Sequence, residues 1–226
     1  MDLTNSSQGY GQAREQFIGK VFNHLGGSIL TFTLIEVIFF KTGIAKMLVA
    51  AMSVIPWMAI LAIFMVGGWL TSRIAHTVES LTAQYAALGV YILFEAIIFA
   101  PLLYLANTVA PGAISSAAII TIAATIGLVL VAYMSRKDFS FLGSLLKWGG
   151  ILALVLIIGG AIFGFQLGLF FSVAMVGLAG ASILYDASNV IHHYPEDRYV
   201  GASLELFASV ALMFWYVLRI AISLRD

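Results

Sequence analysis

Seven stretches of about 20 mostly apolar residues, joined by connections too short to fold on their own, run through this chain. An α-helix rises 1.5 Å per residue, so roughly 20 apolar residues cross a hydrocarbon core about 30 Å thick. The spacing predicts spans over residues 21–40, 45–70, 81–106, 112–134, 145–165, 167–185 and 199–222. In lipid the backbone must satisfy its own hydrogen bonds, and apolar runs of this length do so as helices. Only 10% of the residues are charged and 62% are hydrophobic, against about 25% charged in a soluble domain. In water that much apolar side chain would need a core larger than 226 residues can enclose. The expectation is an all-α membrane protein, a seven-transmembrane-helix bundle over residues 21–226, preceded by a polar cytoplasmic tail at 1–20.

The fifth and sixth spans nearly touch in sequence and form a tight hairpin, turning at Gln166 and Gly168. The amino terminus is polar and carries no short apolar core followed by a small-residue cleavage site. No cleavable signal peptide is expected, and the first span acts as its own insertion signal. With the amino terminus inside, the inner face carries Arg14, Lys20, Arg73, Arg136, Lys137, Lys147 and Arg198; the outer face carries Lys41, Lys46, Arg219 and Arg225. That bias places the N-terminus in the cytoplasm and the C-terminus outside. A net charge of zero gives no basic footprint for nucleic acid, and the absence of cysteine excludes disulfides and thiolate chemistry. Glycine is abundant, at 21 residues. The run Gly160, Gly164, Gly168 and the later Gly177, Gly180 and Ala181 are expected to let helices approach closely.

The polar residues inside these spans carry the functional question. Asp186 closes the sixth span, where an ionised carboxylate is costly unless it pairs, lines a water path or binds an ion. Glu36 and Glu95 lie within the first and third spans, as neutral hydrogen-bonded acids or as an intramembrane ion or proton relay. Arg73 follows the second span, as an interfacial anchor or a counter-charge for a buried carboxylate. His192, His193, Glu196 and Asp197 crowd one loop, but adjacent histidines on irregular backbone converge poorly on a metal, and a solvated loop is the expectation. Glu205 and Ser209 are four residues apart and share a helix face. Asp186 ends one helix and Glu205 begins the next from the same side, so their depths match. Two carboxylates at close range do not both ionise readily, so such a pair would share a proton and respond to pH. Oxygen ligands also suit a hard cation, and Asp186 is the first candidate to touch calcium, although a full shell needs about six to eight oxygens.

Tyr185-Asp186-Ala-Ser-Asn189-Val-Ile191, followed by Ala202-Ser-Leu-Glu-Leu-Phe207, resembles the carboxyl-terminal signature of the Bax inhibitor-1 family. So does the loop Ser135-Arg136-Lys137-Asp138-Phe139-Ser140-Phe141-Leu142-Gly143, with its basic pair, Asp138 and the later Gly143. The resemblance covers the chain from the second span onward, and the bacterial branch, which includes the membrane modulator of the FtsH protease, looks nearest. It implies six helices around a central one, a bacterial inner-membrane location and calcium leak across the membrane. In calcium-leak members two aspartates on the last two helices share a proton, closed by an arginine of the second helix. Asp186 matches the first aspartate and Arg73 is the match for the arginine, but the second aspartate falls at Ser209, which cannot ionise. Either pH gating is absent here or Glu205 substitutes from one turn away.

Two functions follow. One is a cation leak, with calcium as cargo and an acidic site at Asp186, Glu205, Ser209 and Arg73. The other is a non-enzymatic modulator that engages a membrane-bound protease complex, the polar amino-terminal tail serving as handle. No enzyme is expected: His24, His76, His192 and His193 lie at or beyond span ends, where no intramembrane nucleophile can meet them. No cofactor is expected either; the last span has no lysine for a retinal Schiff base.

Overall fold

The computed structural model describes residues 3–55, 59, 62–63, 65–67, 69, 73, 77, 80–135 and 137–225, with side chains from Gly11 onward. Helix α1 spans Leu3–Thr42, α2 Ile44–Ser53, α3 Leu81–Val109, α4 Ala113–Ser135, α5 Leu142–Phe163, α6 Leu169–His192 and α7 Tyr199–Ser223. Among the described residues there is no strand, and six helices are long and apolar enough to cross a membrane. The chain is an all-α, multi-pass membrane protein. Its outward side chains agree: Phe170 is 92% exposed and Phe163 80%, surfaces that only lipid covers without cost. The expected second span, 45–70, begins as the ten-residue α2 and lies in part outside the described residues.

Helix α1 starts well before the expected boundary at residue 21. The cause is a stripe of buried residues, Phe17, Val21, Leu25, Ser28 and Phe32, spaced by three or four and therefore on one helix face. The stripe begins four residues ahead of the apolar run, and the surrounding Gln12, Ala13, Arg14, Glu15 and Gln16 are good helix formers. Residues 3–20 are thus the first turns of the same helix.

Between α5 and α6 the chain turns over residues 164–168, which include the expected Gln166 and Gly168, and Gly164 ends α5. Gly164 has φ +75° and its N–H donates to Gly160 O at 2.9 Å, a left-handed helix cap that a side chain would strain. The glycines expected to bring helices together divide accordingly. Gly164 shapes a turn, and Gly177 faces open space. Close approach occurs at Gly149, where an added Cβ would stand 2.6 Å from Leu178 Cδ1, and at Gly143, 3.0 Å from Tyr185 Cε2. Both seat α5 on α6. Gly180 sits between Leu128 of α4 and Met213 of α7.

The core is built around α7, which packs against α1, α3, α4 and α6. Small residues make this possible: Ala96, Ala100, Ala117, Ala132, Ala179, Ala187 and Ala202 are all fully buried, and short side chains let helix axes approach where lipid supplies no hydrophobic drive. An aromatic cluster fills the remaining space. Phe99 stacks on Phe214 with centroids 5.6 Å apart and meets Trp215 edge-on at 5.0 Å, while Phe32 meets Phe99 edge-on at 5.2 Å. Helix α5 lies at the margin and packs on α6.

Candidate functional site

Three polar side chains, Ser182, Asp186 and Ser209, form a seam between α6 and α7. Residues 182 and 186 are one turn apart on α6 and face α7, where Ser209 meets both. Asp186 Oδ2 accepts from Ser209 Oγ at 2.5 Å, and Ser209 Oγ lies 2.8 Å from Ser182 Oγ. A hydroxyl has one proton to give, so Ser209 donates to Asp186 and accepts from Ser182. Asp186 and Ser209 are each 6% exposed. Residue 209, where a carboxylate would have made a like-charge contact, instead supplies a neutral donor that satisfies Asp186. Leaving a buried acceptor without such a donor costs about 1–3 kcal/mol.

Glu205, one turn before Ser209 on α7, takes its contact from the loop between the two helices. Tyr194 Oη donates to Glu205 Oε2 at 2.5 Å. Burial first, then the nearby Glu205 and Asp186 carboxyls, push the Tyr194 hydroxyl well above its ordinary range, so it remains a donor at any physiological pH. The structure therefore joins Asp186 to Ser209 and Glu205 to Tyr194. Arg73 is exposed, and its guanidinium lies 5.3 Å over the Trp69 ring.

The cation that braces this end of the bundle comes from α1. Arg14 Nε donates to Ile191 O at 2.9 Å and Arg14 Nη1 to Tyr194 O at 2.5 Å, with the guanidinium 5.0 Å over Phe17. Ile191 is in the last turn of α6, where carbonyls lack intrahelical partners and a positive charge is favourable. One forked side chain thus ties α1 to the end of α6 and to the residue that holds Glu205.

The second motif docks onto the same end. Arg136 lies outside the described residues, and Lys137 is exposed. Phe139 N–H donates to Ser188 Oγ at 2.9 Å. Asp138 Oδ1 accepts from Ser140 N–H and Oδ2 meets His193 Nε2, each at 2.8 Å. These bonds, the Ser140 N–H foremost, hold the Asp138 carboxyl down to about 2. Gly143 gives Tyr185 room beside it. The two stretches of sequence that carried the resemblance are therefore in contact, one turn from Asp186. The family model described as Inhibitor of apoptosis-promoting Bax1 matches residues 14–226. The chain belongs to the Bax inhibitor-1 family. No curated protein matches it.

The remaining acids and histidines fall elsewhere. Glu95 is 4% exposed and hydrogen-bonded to Tyr91, one turn earlier on α3. Glu36 is 6% exposed, and neither of its carboxyl oxygens has a hydrogen-bond partner among the described residues. His192 Nδ1 lies 3.0 Å from Ser188 O, and the exposed Asp197 carboxylate lies 3.6 Å from Arg198 Nε. Among the described residues no three His, Cys, Asp or Glu side chains converge as a metal set.

Sequence reasoning missed Ser182, Tyr194 and Arg14 as parts of the site. Ser182 had a signal, its four-residue spacing from Asp186. Tyr194 and Arg14 had none, since a loop and a helix 177 positions away in sequence meet only through the fold.

Proposed function

We propose that this protein is a cation leak of a bacterial inner membrane, with calcium as cargo, and that the seam between α6 and α7 is its gate. In this reading the amino terminus is cytoplasmic, the seam lies at the inner end of the bundle, and α7 is the central helix on which α1, α3, α4 and α6 pack. The supporting observation is the Asp186 carboxyl, buried yet reached by the hydroxyl of Ser209, which in turn bonds to Ser182. A carboxyl at the end of a hydroxyl chain can change protonation without moving a helix. When it ionises, the same oxygens form a partial coordination shell for a hard cation. Two hydroxyls and one carboxyl fall short of a full calcium shell, which suits a transit point better than a resident ion. Glu205 supplies a second acid from one turn away, and its bond to Tyr194 would have to open for it to take part.

The test is calcium flux into liposomes from about pH 6 to pH 8 with Asp186→Asn and Glu205→Gln beside the parent. Flux that depends on pH and on Asp186 supports the gate, and loss of the pH dependence in Glu205→Gln assigns the second acid. Flux indifferent to Asp186→Asn rejects the gate.

A second reading, modulation of a membrane protease of the FtsH type, is favoured by one observation: Ser209 satisfies Asp186 with a neutral donor, which locks α6 to α7 and serves a static scaffold as well as a gate. Deleting residues 2–10 spares Arg14 and its contacts. Loss of a co-purifying protease on that deletion, with no flux in the parent, would support the scaffold reading.

A further inference from the structure

We propose that a second site, separate from the seam, binds a lipophilic organic cation in the membrane-embedded cavity beside Glu36. The cavity holds about 460 Å³ and lies between α1, α3, α4 and α7. That volume is within the roughly 300–1,000 Å³ of small-molecule sites. Phe32, Phe99, Phe207 and Phe214 line it, so several aromatic faces surround a single space. Five polar side chains line it, Thr33, Glu36, Lys41, Asn107 and Thr121, and two of them are buried with unpartnered atoms. Glu36 contributes both carboxyl oxygens and Thr121 its hydroxyl; each residue is more than nine-tenths buried, and none of these three atoms has a hydrogen-bond partner among the described residues.

A buried carboxyl without a donor is expensive, and proteins retain such groups where something else completes them. The completing group must fit a carboxyl in a largely apolar, aromatic chamber. An anion would meet Glu36 without compensation. A small hydrated metal ion would find one carboxyl, the hydroxyls of Thr33 and Thr121, the Asn107 amide and phenyl rings, still too few oxygens to replace its water. A large organic cation meets all three features: Glu36 as counter-charge, ring faces as cation–π partners and apolar arms against the remaining wall. Access is lateral. The rim residues Val37, Lys41 and Ile122 are exposed, while α1 and α4 make little contact across the opening, so a ligand dissolved in the bilayer can enter without crossing water. Lys41 stands at the rim, where its flexible stem lets the ammonium stay in water away from the bound charge.

The probe is tetraphenylphosphonium, whose charge is permanent. Its binding to the full chain in phosphatidylcholine nanodiscs is measured by equilibrium dialysis, with empty nanodiscs as the partition background. The expected result is saturable binding above background, weakened at least tenfold by Glu36→Gln and a few-fold by Thr121→Val. Ala118→Phe, which puts a ring into the cavity and leaves the carboxyl untouched, should remove it. The neutral triphenylphosphine oxide should bind weakly and ignore Glu36→Gln. Each variant is first checked for the parent's unfolding midpoint; should Glu36→Gln misfold, Ala118→Phe and the neutral probe decide. Binding no greater than in empty nanodiscs, or equal in parent and Ala118→Phe, overturns the proposal. So does a phospholipid that native mass spectrometry finds in the parent and not in Ala118→Phe, when tetraphenylphosphonium fails to displace it.

Discussion

Replacing Arg14 by alanine should loosen the carboxyl-terminal end of α6 and the loop that follows it, at a distance of 177 residues in sequence. The side chain makes two charge-assisted hydrogen bonds, to Ile191 O at 2.9 Å and Tyr194 O at 2.5 Å. Bonds to charged groups contribute about 1.5–3 kcal/mol each. Both share one guanidinium that is only partly buried, so they do not add, and a joint contribution of about 2–3 kcal/mol is reasonable. Local opening of the 193–194 turn, closed by two amides bonded to Asn189 O at 2.8 and 2.9 Å, should then become easier by roughly 30- to 150-fold. Amide hydrogen exchange at His193 and Tyr194, read by mass spectrometry in detergent, measures this directly. Arg14→Lys keeps the charge but cannot fork between two carbonyls, and should fall between parent and alanine. Exchange at those amides indistinguishable between parent and Arg14→Ala would refute the reasoning. An equal effect of lysine and alanine would show that the fork, not the charge, matters.

Asp138 has a carboxyl held below its unfolded value, so the stability it contributes is complete above about pH 4 and is lost as pH falls through about 2. The unfolding midpoints of parent and Asp138→Asn should therefore differ at pH 5 and converge near pH 2; a constant gap would contradict the assignment. Gly149→Ala should destabilise by about 1 kcal/mol, because the new methyl meets the flexible end of Leu178. Leu178→Ala in the same chain should restore part of that loss, so a double-mutant cycle with no coupling would disprove the contact. Gly164→Ala places a side chain at φ +75° and should cost about 1–2 kcal/mol, seen as a lower unfolding midpoint. Ser209→Ala strips Asp186 of a buried donor and should destabilise by about 1–3 kcal/mol, with Ser209→Thr recovering most of it.

The architecture was legible because lipid allows so few solutions: apolar runs of the right length already imply helices and nearly locate α3 through α7. The boundary of α1 was hidden because Phe17 extends a buried face by single residues at four-residue spacing, below the resolution of a run of apolar letters. Asp186, Glu205 and Ser209 stood out as polar residues in apolar surroundings, and helical periodicity placed the last two on one face. Their partners did not stand out. Tyr194 reaches Glu205 from a loop whose path depends on Arg14, and Asp138 pairs with His193 across 55 positions. The cavity beside Glu36 is invisible in sequence, since its walls come from four separate helices.

The position of α7 in the chain has a consequence for biogenesis. The helix that contacts α1, α3, α4 and α6 is synthesised after all of them. At about 5–20 residues per second, roughly 10–40 s pass between the emergence of α1 and the end of α7. Throughout that interval the earlier helices lie in the bilayer without their common partner, and Asp186 waits without the hydroxyl of Ser209. A nascent chain halted before residue 199 would hold Asp186 without the Ser209 hydroxyl and would leave open the small-residue faces that α7 covers. Assembly therefore turns on a single late insertion rather than on stepwise accretion, and expression yield should respond more sharply to changes in α7 than to equal changes in the marginal α5.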